Sequence, residues 1–354
     1  MKNIVFLHSQ LSGYFISSVL NALQNNLEIE VHIIVTPNTF DAPFEFSKLS
    51  ERIKIYNRKD FDYPSLSNLL NNLNPNSIIL CGWNDKLYLK IAKGYKNKIP
   101  LTIAMDNLWY GQFRQYLGLI YSRIFLVNLF NYIWVPGIPQ KEYAKLLGFK
   151  KKQILLSSYC ADLEKFKKFY SSAIKTKEQN FPHRFLFVGR YVSQKGLDNL
   201  CEAFAALQNE NPNDWELVCV GSGPLFETRV IMNKIIHKGF IQPEDFQSII
   251  SETGVFVLPS WEEHWGVVLH EYAAAGYPLI CSDAVGAAST FINNNVNGFV
   301  FQAKNIVSLK EKLLKIVKTP DNELLKMGYE SVLMSKEVTN EKWNMSFEKT
   351  MKFN

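Results

Sequence analysis

Short apolar runs alternate with amphipathic segments along this chain, and the alternation constrains its fold more than any other feature. In the first half the apolar runs have the character of buried strands, at Ile4–Leu7, Val31–Val35, Ile53–Tyr56, Ile78–Leu80, Leu101–Ala104 and Tyr132–Val135. The segments between them have the periodicity of helices, at Tyr14–Leu23, Tyr63–Leu73, Asp85–Lys93, Trp109–Leu129 and Gln140–Leu147. Strand, helix and strand in succession form a right-handed crossover, so this order predicts an α/β fold with a parallel sheet.

Two domains are expected, because a chain of 354 residues exceeds what one ordinary core holds. A second alternating series begins with the apolar run Phe185–Val188. The lysine-rich stretch between Phe169 and Pro182 separates the two series and is typical of a solvated linker. We therefore predict three parts, an N-terminal domain over 1–176, a C-terminal domain over 177–335 and a terminal segment over 336–354.

The composition is that of a globular protein, with 47% apolar residues and a net charge of +6. The five cysteines are scattered, which predicts neither a disulfide framework nor a zinc site and favours a reducing compartment. The apolar run near the N-terminus is too short for a signal peptide, and no run is long enough to span a bilayer. A cytoplasmic protein is the expectation.

Basic residues are concentrated in the first half of the sequence, where 1–180 is net positive and 181–354 is net negative. An anionic partner, such as a membrane surface or a phosphorylated acceptor, would account for this imbalance. Simple lysine-rich solubility accounts for it equally well. The sequence contains no recognition-helix, zinc-finger or RNP pattern, so a nucleic-acid partner is not predicted.

The stretch from Leu258 to Asp283 carries the most informative residues. Its predicted order is strand, loop, helix and strand, and ligands of parallel α/β sheets bind where a loop leaves a strand and enters a helix. Glu263 and Glu271 bracket the helix start, about 12 Å apart if the spacing were all helical. They could hold the two ends of a nucleotide sugar whose diphosphate faces the helix start. Two merely solvated glutamates are the alternative, which the neighbouring tryptophans and alanines disfavour.

A second loop carries two cations, Arg190 and Lys195, between the strand Phe185–Val188 and the predicted helix Leu197–Leu207. Its glycine and lysine spacing is not that of a Walker loop. Two cations at a strand-to-helix loop would instead neutralise a diphosphate, the arginine through a fork of donors and the lysine as a point charge.

Two glycine-containing loops are weaker candidates. Gly221 to Pro224 follows the predicted strand Trp215–Val220 and is expected to precede another helix. Such a turn lets the backbone approach a ligand, and an ordinary tight loop is the alternative. In the first half, Gly13 stands beside a helix start after the first strand, and one glycine does not make a phosphate cradle.

The spacing Glu263-x7-Glu271, followed by Tyr-Ala-Ala-Ala-Gly-Tyr-Pro and a strand, resembles the signature of family 4 of the retaining glycosyltransferases in its Trp-Gly variant. The resemblance covers nearly all of 182–303 and includes the Gly-Arg…Lys-Gly loop; in 1–180 it is limited to the βα pattern and loop positions. It implies the GT-B fold, with two Rossmann-like parallel-sheet domains facing a central cleft and a C-terminal helix that crosses back to the N-terminal domain. It also implies a retaining, metal-independent hexosyltransferase of cell-surface polysaccharide or glycan biosynthesis.

The resemblance also implies roles for individual residues. The catalytic set would be Arg190, Lys195, Glu263 and Asp106. The donor-binding set would be Gly13, Gly189, Arg190, Lys195, Gly221, Gly223, Phe240, Ile241, Glu263, Trp265, Gly266, Val267, Val268 and Glu271. A UDP- or GDP-sugar is the expected donor, with no separate cofactor and no metal, and a glycan or lipid-linked molecule is the expected acceptor. Such an enzyme would work in the cytoplasm or at the inner face of the membrane.

One position departs from the family pattern. The segment Leu101–Asn107 matches a family segment that ends in His-Asp, and Met105 stands where the histidine is expected. Either Asp106 takes over its contact with the donor sugar or the acceptor, or the chain manages without such a group. The departure motivates one alternative, a catalytically idle partner subunit that binds nucleotide sugar or another transferase. A sugar-nucleotide epimerase of the same fold is a further alternative.

The stretch from Tyr116 to Trp134 is apolar and aromatic, with few polar interruptions. A core helix that runs into a strand is the favoured interpretation. Partial insertion into a membrane interface is the functional alternative, because an aromatic face with basic surroundings suits a lipid-linked acceptor.

Overall fold

The computed structural model describes residues 1–36, 49–242 and 245–353, which form two compact α/β units. Of the described residues, the first unit contains 1–36, 49–160 and 338–353, and the second contains 161–242 and 245–337. The chain therefore builds most of the first unit, then the second, and ends in the first. Each unit is built on a parallel sheet with helical connections, the parallel α/β class that the sequence predicts.

The first unit contains a seven-stranded parallel sheet. Its strands are β1 (Lys2–His8), β2 (Ile29–Val35), β3 (Ile53–Asn57), β4 (Ser77–Cys81), β5 (Leu101–Ala104), β6 (Tyr132–Trp134) and β7 (Ile154–Leu155). They are ordered β3-β2-β1-β4-β5-β6-β7, so the chain first winds one way from β1 and then the other. All these pairs are parallel, which brings the carboxyl ends of the strands to one edge.

Helices connect these strands. They are α1 (Gly13–Asn25), α2 (Tyr63–Leu73), α3 (Lys86–Tyr95), α4 (Phe113–Tyr121), α5 (Val127–Leu129) and α6 (Ile138–Leu146). A π-helical turn, Ser122–Leu126, joins α4 to α5, and short 3₁₀ turns form at Arg58–Asp60 and Lys151–Gln153. Buried apolar residues of the central strands, such as Val5, Leu80 and Ile103, form the core with the buried faces of the helices.

The second unit contains a six-stranded parallel sheet. Its strands are β8 (Arg184–Val188), β9 (Glu216–Val220), β10 (Ile235–Gly239), β11 (Val255–Leu258), β12 (Leu279–Ser282) and β13 (Gly298–Phe301). They are ordered β10-β9-β8-β11-β12-β13, and the reversal of direction lies between β8 and β11. Loops that leave neighbouring strands at such a reversal form a crevice that ligands use in α/β proteins.

The helices of this unit are α7 (Leu163–Gln179), α8 (Leu197–Glu210), α9 (Phe246–Glu252), α10 (Val267–Ala274), α11 (Ala288–Phe291), α12 (Ile306–Val317) and α13 (Asp321–Ser335). A 3₁₀ turn, Ser193–Lys195, precedes α8. The last helix of the chain, α14 (Asn340–Lys349), belongs to the first unit.

The predicted linker is wrong, because its lysines lie on α7. Leu163, Phe166, Phe169 and Ala173 are buried at helical spacing, and Asp162 caps the helix by accepting a hydrogen bond from the backbone N–H of Lys165 at 3.1 Å. A charged face next to an apolar stripe has the composition of a linker but the periodicity of a helix. The division between the two units accordingly falls at 160/161 rather than at 176/177.

Two further expectations differ from the structure. No helix is assigned in the described residues between β9 and β10, where a helix was expected after Gly223. The stretch from Tyr116 is a core element only in its second half, where Leu126, Leu129 and β6 are buried. Every residue of α4 is partly or fully exposed, so the core interpretation is wrong for that helix.

Candidate functional site

Four loops of the second unit leave the carboxyl ends of parallel strands and contain most of the predicted donor-binding residues. They follow β8, β9, β10 and β11 and begin at Gly189, Gly221, Phe240 and Pro259. Because the strands are parallel neighbours, these loops emerge at the same edge of the sheet. The structure therefore brings together the second-unit part of the predicted site.

The loops after β8 and β11 are joined by direct contacts. The Lys195 ammonium forms an ion pair with the Glu263 carboxylate, and these side chains are 20% and 17% exposed. The Ser260 hydroxyl donates to the same carboxylate at 3.3 Å. Next to this pair, the backbone N–H of Trp261 donates to the carbonyl of Gln194 at 2.7 Å. A predicted phosphate-binding cation and a predicted sugar-binding carboxylate thus lie side by side.

Glu263 is not part of a helix, so the all-helical distance of about 12 Å to Glu271 does not apply. It lies between β11 and α10 and forms a parallel bridge with Val285. Its N–H donates to the carbonyl of Ala284 at 3.3 Å, and its carbonyl accepts from Gly286 at 2.9 Å. The backbone around Glu263 is therefore held on both sides, which orients its carboxylate.

Gly266 forms the turn into α10 and has φ +90°. A Cβ at this position would lie 3.0 Å from Cγ of Glu263 and 3.3 Å from Cδ2 of Leu258, so a side chain would be both strained and crowded. Within the described residues no side chain caps the start of α10. The N–H groups of Val267 and Val268 precede any intrahelical acceptor, and such a helix start attracts anions.

Glu271 lies in the second turn of α10 and is partly buried. Burial of its carboxyl raises the pKa to about 7; the nearby Lys165 works in the opposite direction and Asp162 adds to the rise. Near neutral pH this group is therefore close to the midpoint of its titration. When ionised, this carboxylate can accept hydrogen bonds from a pair of hydroxyls. A ligand that donates such bonds would compensate the free-energy cost of burying the charge.

The loops after β8 and β9 are in close contact. A Cβ on Gly221 would lie 1.9 Å from the carbonyl oxygen of Gly189. The N–H of Gly221 also donates to the carbonyl oxygen of Gly239, at the end of β10, at 2.7 Å. Gly223 lies similarly close to the backbone of Tyr191. The side chain of Arg190 is exposed and forms no ion pair with any residue that the structure describes. It is thus available to an anionic ligand.

Two predicted donor-binding residues, Phe240 and Ile241, lie just after β10 and are partly buried. Trp265 is different, because its side chain is 2% exposed and its ring packs at 6.0 Å from that of Phe291. Its indole N–H has no hydrogen-bond partner among the described residues. The Trp265 side chain is a core group, and only its backbone lies in the loop.

The first unit contains the remaining predicted residues. Gly13 opens α1. Asp106 follows β5 and accepts a hydrogen bond from the hydroxyl of Tyr159 at 3.1 Å. Met105 is buried in the core, and its N–H donates to the carbonyl of Trp134 at 3.0 Å. The position at which the resemblance led us to expect a histidine is therefore occupied by an apolar core side chain.

Two further titratable groups end strands at this edge of the first sheet. Burial lowers the pKa of His8 to about 4, and its Nδ1 accepts a hydrogen bond from the N–H of Gln10 at 3.3 Å. Burial, with the negative charge of Asp106, raises the pKa of the Cys81 thiol to about 12. Burial therefore keeps the His8 imidazole and the Cys81 thiol neutral at physiological pH.

Sequence reasoning missed Ser260 and Tyr159, which contact Glu263 and Asp106. Ser260 follows a buried strand, and that position could have identified it. Tyr159 has no comparable signal, because it lies 53 residues from Asp106. Within the described ranges no group of three or more His, Cys, Asp or Glu side chains is placed to hold a metal ion. The part of the chain that the structure describes also has no helix with the length and apolar character of a membrane span.

Comparison with known proteins points to one class of enzyme. Residues 171–331 match the family described as glycosyl transferases group 1. An uncharacterized glycosyltransferase of Methanocaldococcus jannaschii is 30% identical over 172 residues, which are 46% of this chain and 46% of that protein. The alpha-D-kanosaminyltransferase of Streptomyces kanamyceticus is 30% identical over 139 residues, or 36% of each chain. The chain thus spans less than half the length of these curated relatives.

A solved structure of HepE from Anabaena, in complex with UDP and glucose, covers 99% of this chain and 99% of its own. Its TM-score is 0.71 and its sequence identity is 15%, so the likeness shows a shared fold. Over 171–331, which include all four loops described above, the chain is similar to the glycosyl transferases of group 1, and its fold is that of GT-B glycosyltransferases.

Proposed function

We propose that this protein is a retaining glycosyltransferase that moves a sugar from a nucleotide donor to an acceptor hydroxyl. The observation that carries the proposal is the Lys195–Glu263 pair beside the uncapped start of α10, with Glu271 in the next turn. This arrangement has a cation and free N–H groups for a diphosphate and a carboxylate on either side for hydroxyls.

The donor-binding roles that we propose are those implied by the resemblance, and these positions are compatible with them. Glu271 accepts hydrogen bonds from the ribose, and Glu263 from the transferred sugar. The diphosphate meets the N–H groups of Val267 and Val268 together with Arg190 and Lys195. The segment just after β10, at Phe240 and Ile241, is where we propose that the base binds. UDP and GDP are the nucleotides we propose, and UDP is the nucleotide in the HepE complex of the same fold.

The reaction itself needs a developing negative charge to be stabilised. The bond between the anomeric carbon and the diphosphate breaks, and the acceptor oxygen bonds to that carbon from the same face. The acceptor's proton passes to the departing phosphate, and the configuration is retained. Arg190, Lys195 and the start of α10 stabilise the charge on the leaving group without a metal, and preorganised electrostatic stabilisation of this kind is usually the largest catalytic contribution.

Donor binding must loosen the Lys195–Glu263 ion pair. Before the donor arrives, each of these side chains neutralises the other at a partly buried place. The diphosphate would attract the ammonium and the sugar hydroxyls would satisfy the carboxylate, so both groups keep partners. In the unliganded protein the pair therefore holds both side chains in position for donor binding.

The acceptor that we propose is a glycan or a lipid-linked molecule of cell-surface polysaccharide assembly, at the inner face of the cytoplasmic membrane. The resemblance to family 4 and the basic first half of the sequence support this setting. Asp106, held by Tyr159, is the first-unit carboxylate that we propose for contact with substrate.

Met105 supports a second candidate, a catalytically idle subunit that binds nucleotide sugar without turning it over. An epimerase of the same fold would convert the donor without an acceptor. Incubation with UDP- and GDP-sugars distinguishes the transferase, the idle subunit and the epimerase. Release of nucleoside diphosphate indicates a transferase, conversion of the sugar indicates an epimerase, and binding without either indicates the idle subunit.

Calorimetric titration with UDP and GDP tests the donor site directly. We expect one of them to bind, and Arg190→Ala to weaken it by about tenfold, the loss of one charge-assisted contact of about 1.4 kcal/mol. Lys326→Ala, a change of an exposed lysine elsewhere in the second unit, is the matched control. The site assignment fails if neither nucleotide binds or if both variants behave alike.

A further inference from the structure

The exposed side of α4 and of the π turn that follows it carries an unusual amount of apolar surface. Six large side chains on this stretch are at least half exposed: Phe113, Tyr116, Leu117, Ile120, Ile124 and Phe125. We call them the α4 face. Single exposed apolar residues are normal, but a contiguous group on one element marks an interaction site.

The spacing of these residues places most of them on one side of the helix. Phe113, Leu117, Ile120 and Ile124 recur at helical intervals along one side. On the other side of the same stretch, Leu126 is part of the hydrophobic core of the first unit. The element is therefore apolar on both sides, and packing within the first unit accounts for only one of them.

The charged residues on this stretch of the chain are all basic. Arg114 and Arg123 are exposed on the same stretch, and the sequence has no acidic residue between Asp106 and Glu142. The guanidinium of Arg123 donates to the carbonyl of Leu146 at 3.2 Å. This contact places the segment after α6 beside the π turn, and that segment continues into three exposed lysines, Lys150, Lys151 and Lys152.

We propose that the α4 face docks on a lipid bilayer that contains anionic headgroups. Its apolar side chains would enter the boundary between headgroups and acyl chains, and the arginines and lysines around it would meet the lipid phosphates. Tyr116 and the neighbouring Trp109, whose rings are 5.0 Å apart, are residue types that favour this interface.

Charge favours a bilayer over a second copy of this chain. A symmetric contact through the α4 face would bring Arg114 and Arg123 of one copy towards the same basic surface of the other. Like charges across an interface are unfavourable, whereas an anionic surface complements them. The inference deepens the proposed function, on which it rests only for its biological setting, because lipid binding needs neither donor nor turnover.

Vesicle flotation tests the apolar contribution. The full chain is mixed with vesicles of phosphatidylcholine alone or with added phosphatidylglycerol. We expect binding to the anionic vesicles, and a loss of at least about tenfold in the partition coefficient for the triple variant Phe113→Ser, Ile120→Ser and Ile124→Ser. The control changes three comparably exposed residues elsewhere, Leu27→Ser, Ile231→Ser and Val307→Ser, and should bind as wild type.

The basic contribution has its own pair of variants. Lys151→Gln with Lys152→Gln should weaken binding to anionic vesicles by about tenfold and leave the weak binding to phosphatidylcholine unchanged. Lys96→Gln with Lys98→Gln removes equal charge from exposed positions at the end of α3 and should have little effect. Equal losses in both double variants would reduce the effect to net charge and overturn the docking surface.

Depth is measured as the quenching that one introduced tryptophan adds to the signal of the seven native tryptophans. Ile120→Trp should be quenched by lipids brominated in their acyl chains, whereas Val307→Trp should not exceed the wild-type signal. Wild-type protein that does not bind anionic vesicles overturns the inference, as does a triple variant that binds normally. If sedimentation instead shows a wild-type dimer that the triple variant abolishes, the face is a contact between copies. Calorimetry with UDP and GDP on the triple variant reports donor binding separately, so failure of the proposed function is recognised independently.

Discussion

At the scale of one residue, burial of the Glu271 carboxyl lowers the stability of the unliganded protein near neutral pH. Burial raises the pKa of its carboxyl from the usual 4.5 to about 7. The folded protein therefore binds this proton more tightly than the unfolded chain does. As the pH rises from 4.5 through 7, the unfolded state loses its proton first, and the free energy of unfolding falls.

Glu271→Gln removes the titrating group and should stabilise the unliganded second unit above neutral pH. We expect the gain in free energy of unfolding at pH 8 to exceed that at pH 5 by roughly 2 kcal/mol, somewhat less than the full shift implies because the residue is only partly buried. Urea unfolding at the two pH values measures this difference. A gain that is independent of pH would show that the carboxyl is not the cause.

The same variant should bind nucleotide less well, in spite of its stability. In the wild type, affinity for the nucleoside diphosphate should rise by about tenfold between pH 6 and pH 8, as Glu271 ionises and becomes an acceptor for two ribose hydroxyls. The nucleotide's own phosphate groups also titrate in this range, and they change the affinity of both proteins equally. The pH dependence measured for Glu271→Gln is therefore subtracted from that of the wild type. If both show the same rise in calorimetric affinity, the ribose contact is refuted.

Gly221 represents a different kind of residue constraint. It has φ +138°, and a Cβ would collide with the carbonyl of Gly189. We expect Gly221→Ala to lower stability by about 2 kcal/mol or more and to weaken nucleotide binding, because the loop after β8 must move. Gly239→Ala is the matched variant: it has φ +71° but the nearest atom is 4.0 Å away, so only about 1 kcal/mol of backbone strain is expected. Thermal unfolding compares the two.

At the scale of elements, His270 links α10 to two other parts of the second unit through hydrogen bonds. Its Nδ1 accepts from the N–H of Ala161 at 3.2 Å, and its Nε2 donates to the carbonyl of Ser335 at 2.9 Å. The ring stacks on Phe291 at 4.3 Å. Burial lowers the pKa to about 4, so the neutral ring that makes both hydrogen bonds persists at physiological pH.

His270→Leu should destabilise the second unit by about 2–4 kcal/mol, because two buried backbone groups lose their partners. The wild type should also lose stability as the pH falls from 6.5 towards 4, since only the unfolded state takes up the imidazole proton readily in that range. The variant should lack this part of the acid dependence. Denaturant unfolding at pH 7 and pH 5 provides both comparisons, and an unchanged acid dependence in the variant would point to other groups.

At the scale of the whole molecule, the end of the sequence completes the unit in which the sequence begins. Trp343 packs against Trp134 at 5.0 Å and donates from its indole to the carbonyl of Ser158 at 3.1 Å. Phe347 stacks on Phe6 at 6.0 Å. The first unit is therefore not complete until nearly all of the chain is available.

Trp343→Ala should destabilise the first unit by about 3–5 kcal/mol, the usual loss for a large buried aromatic side chain. Affinity for nucleotide should stay within about twofold, because the proposed donor site lies in the second unit. Calorimetric unfolding with and without UDP or GDP distinguishes the two units. Met345→Ala, at a position of α14 that is 62% exposed, is the control and should change neither quantity.

The sequence by itself determined the elements that local pattern encodes. The predicted bounds of α2 and β5 agree with the structure, because apolar periodicity and turn residues act over short distances. The order of strands and helices determined the parallel α/β class. It also predicted the loops after β8 and β11, since a strand, a polar loop and a helix are adjacent in the chain.

Tertiary structure alone decided which of these pieces meet. Lys195 pairs with Glu263 across 68 residues, and Tyr159 reaches Asp106 across 53, so no local pattern could encode either contact. It also decided which side chains are buried. On α7, Lys167, Lys168 and Lys175 are exposed whereas Lys177 is buried. Trp265 packs in the core, and most large apolar side chains of α4 remain exposed. Composition records how polar a segment is, but its burial depends on neighbours that arrive from distant parts of the chain.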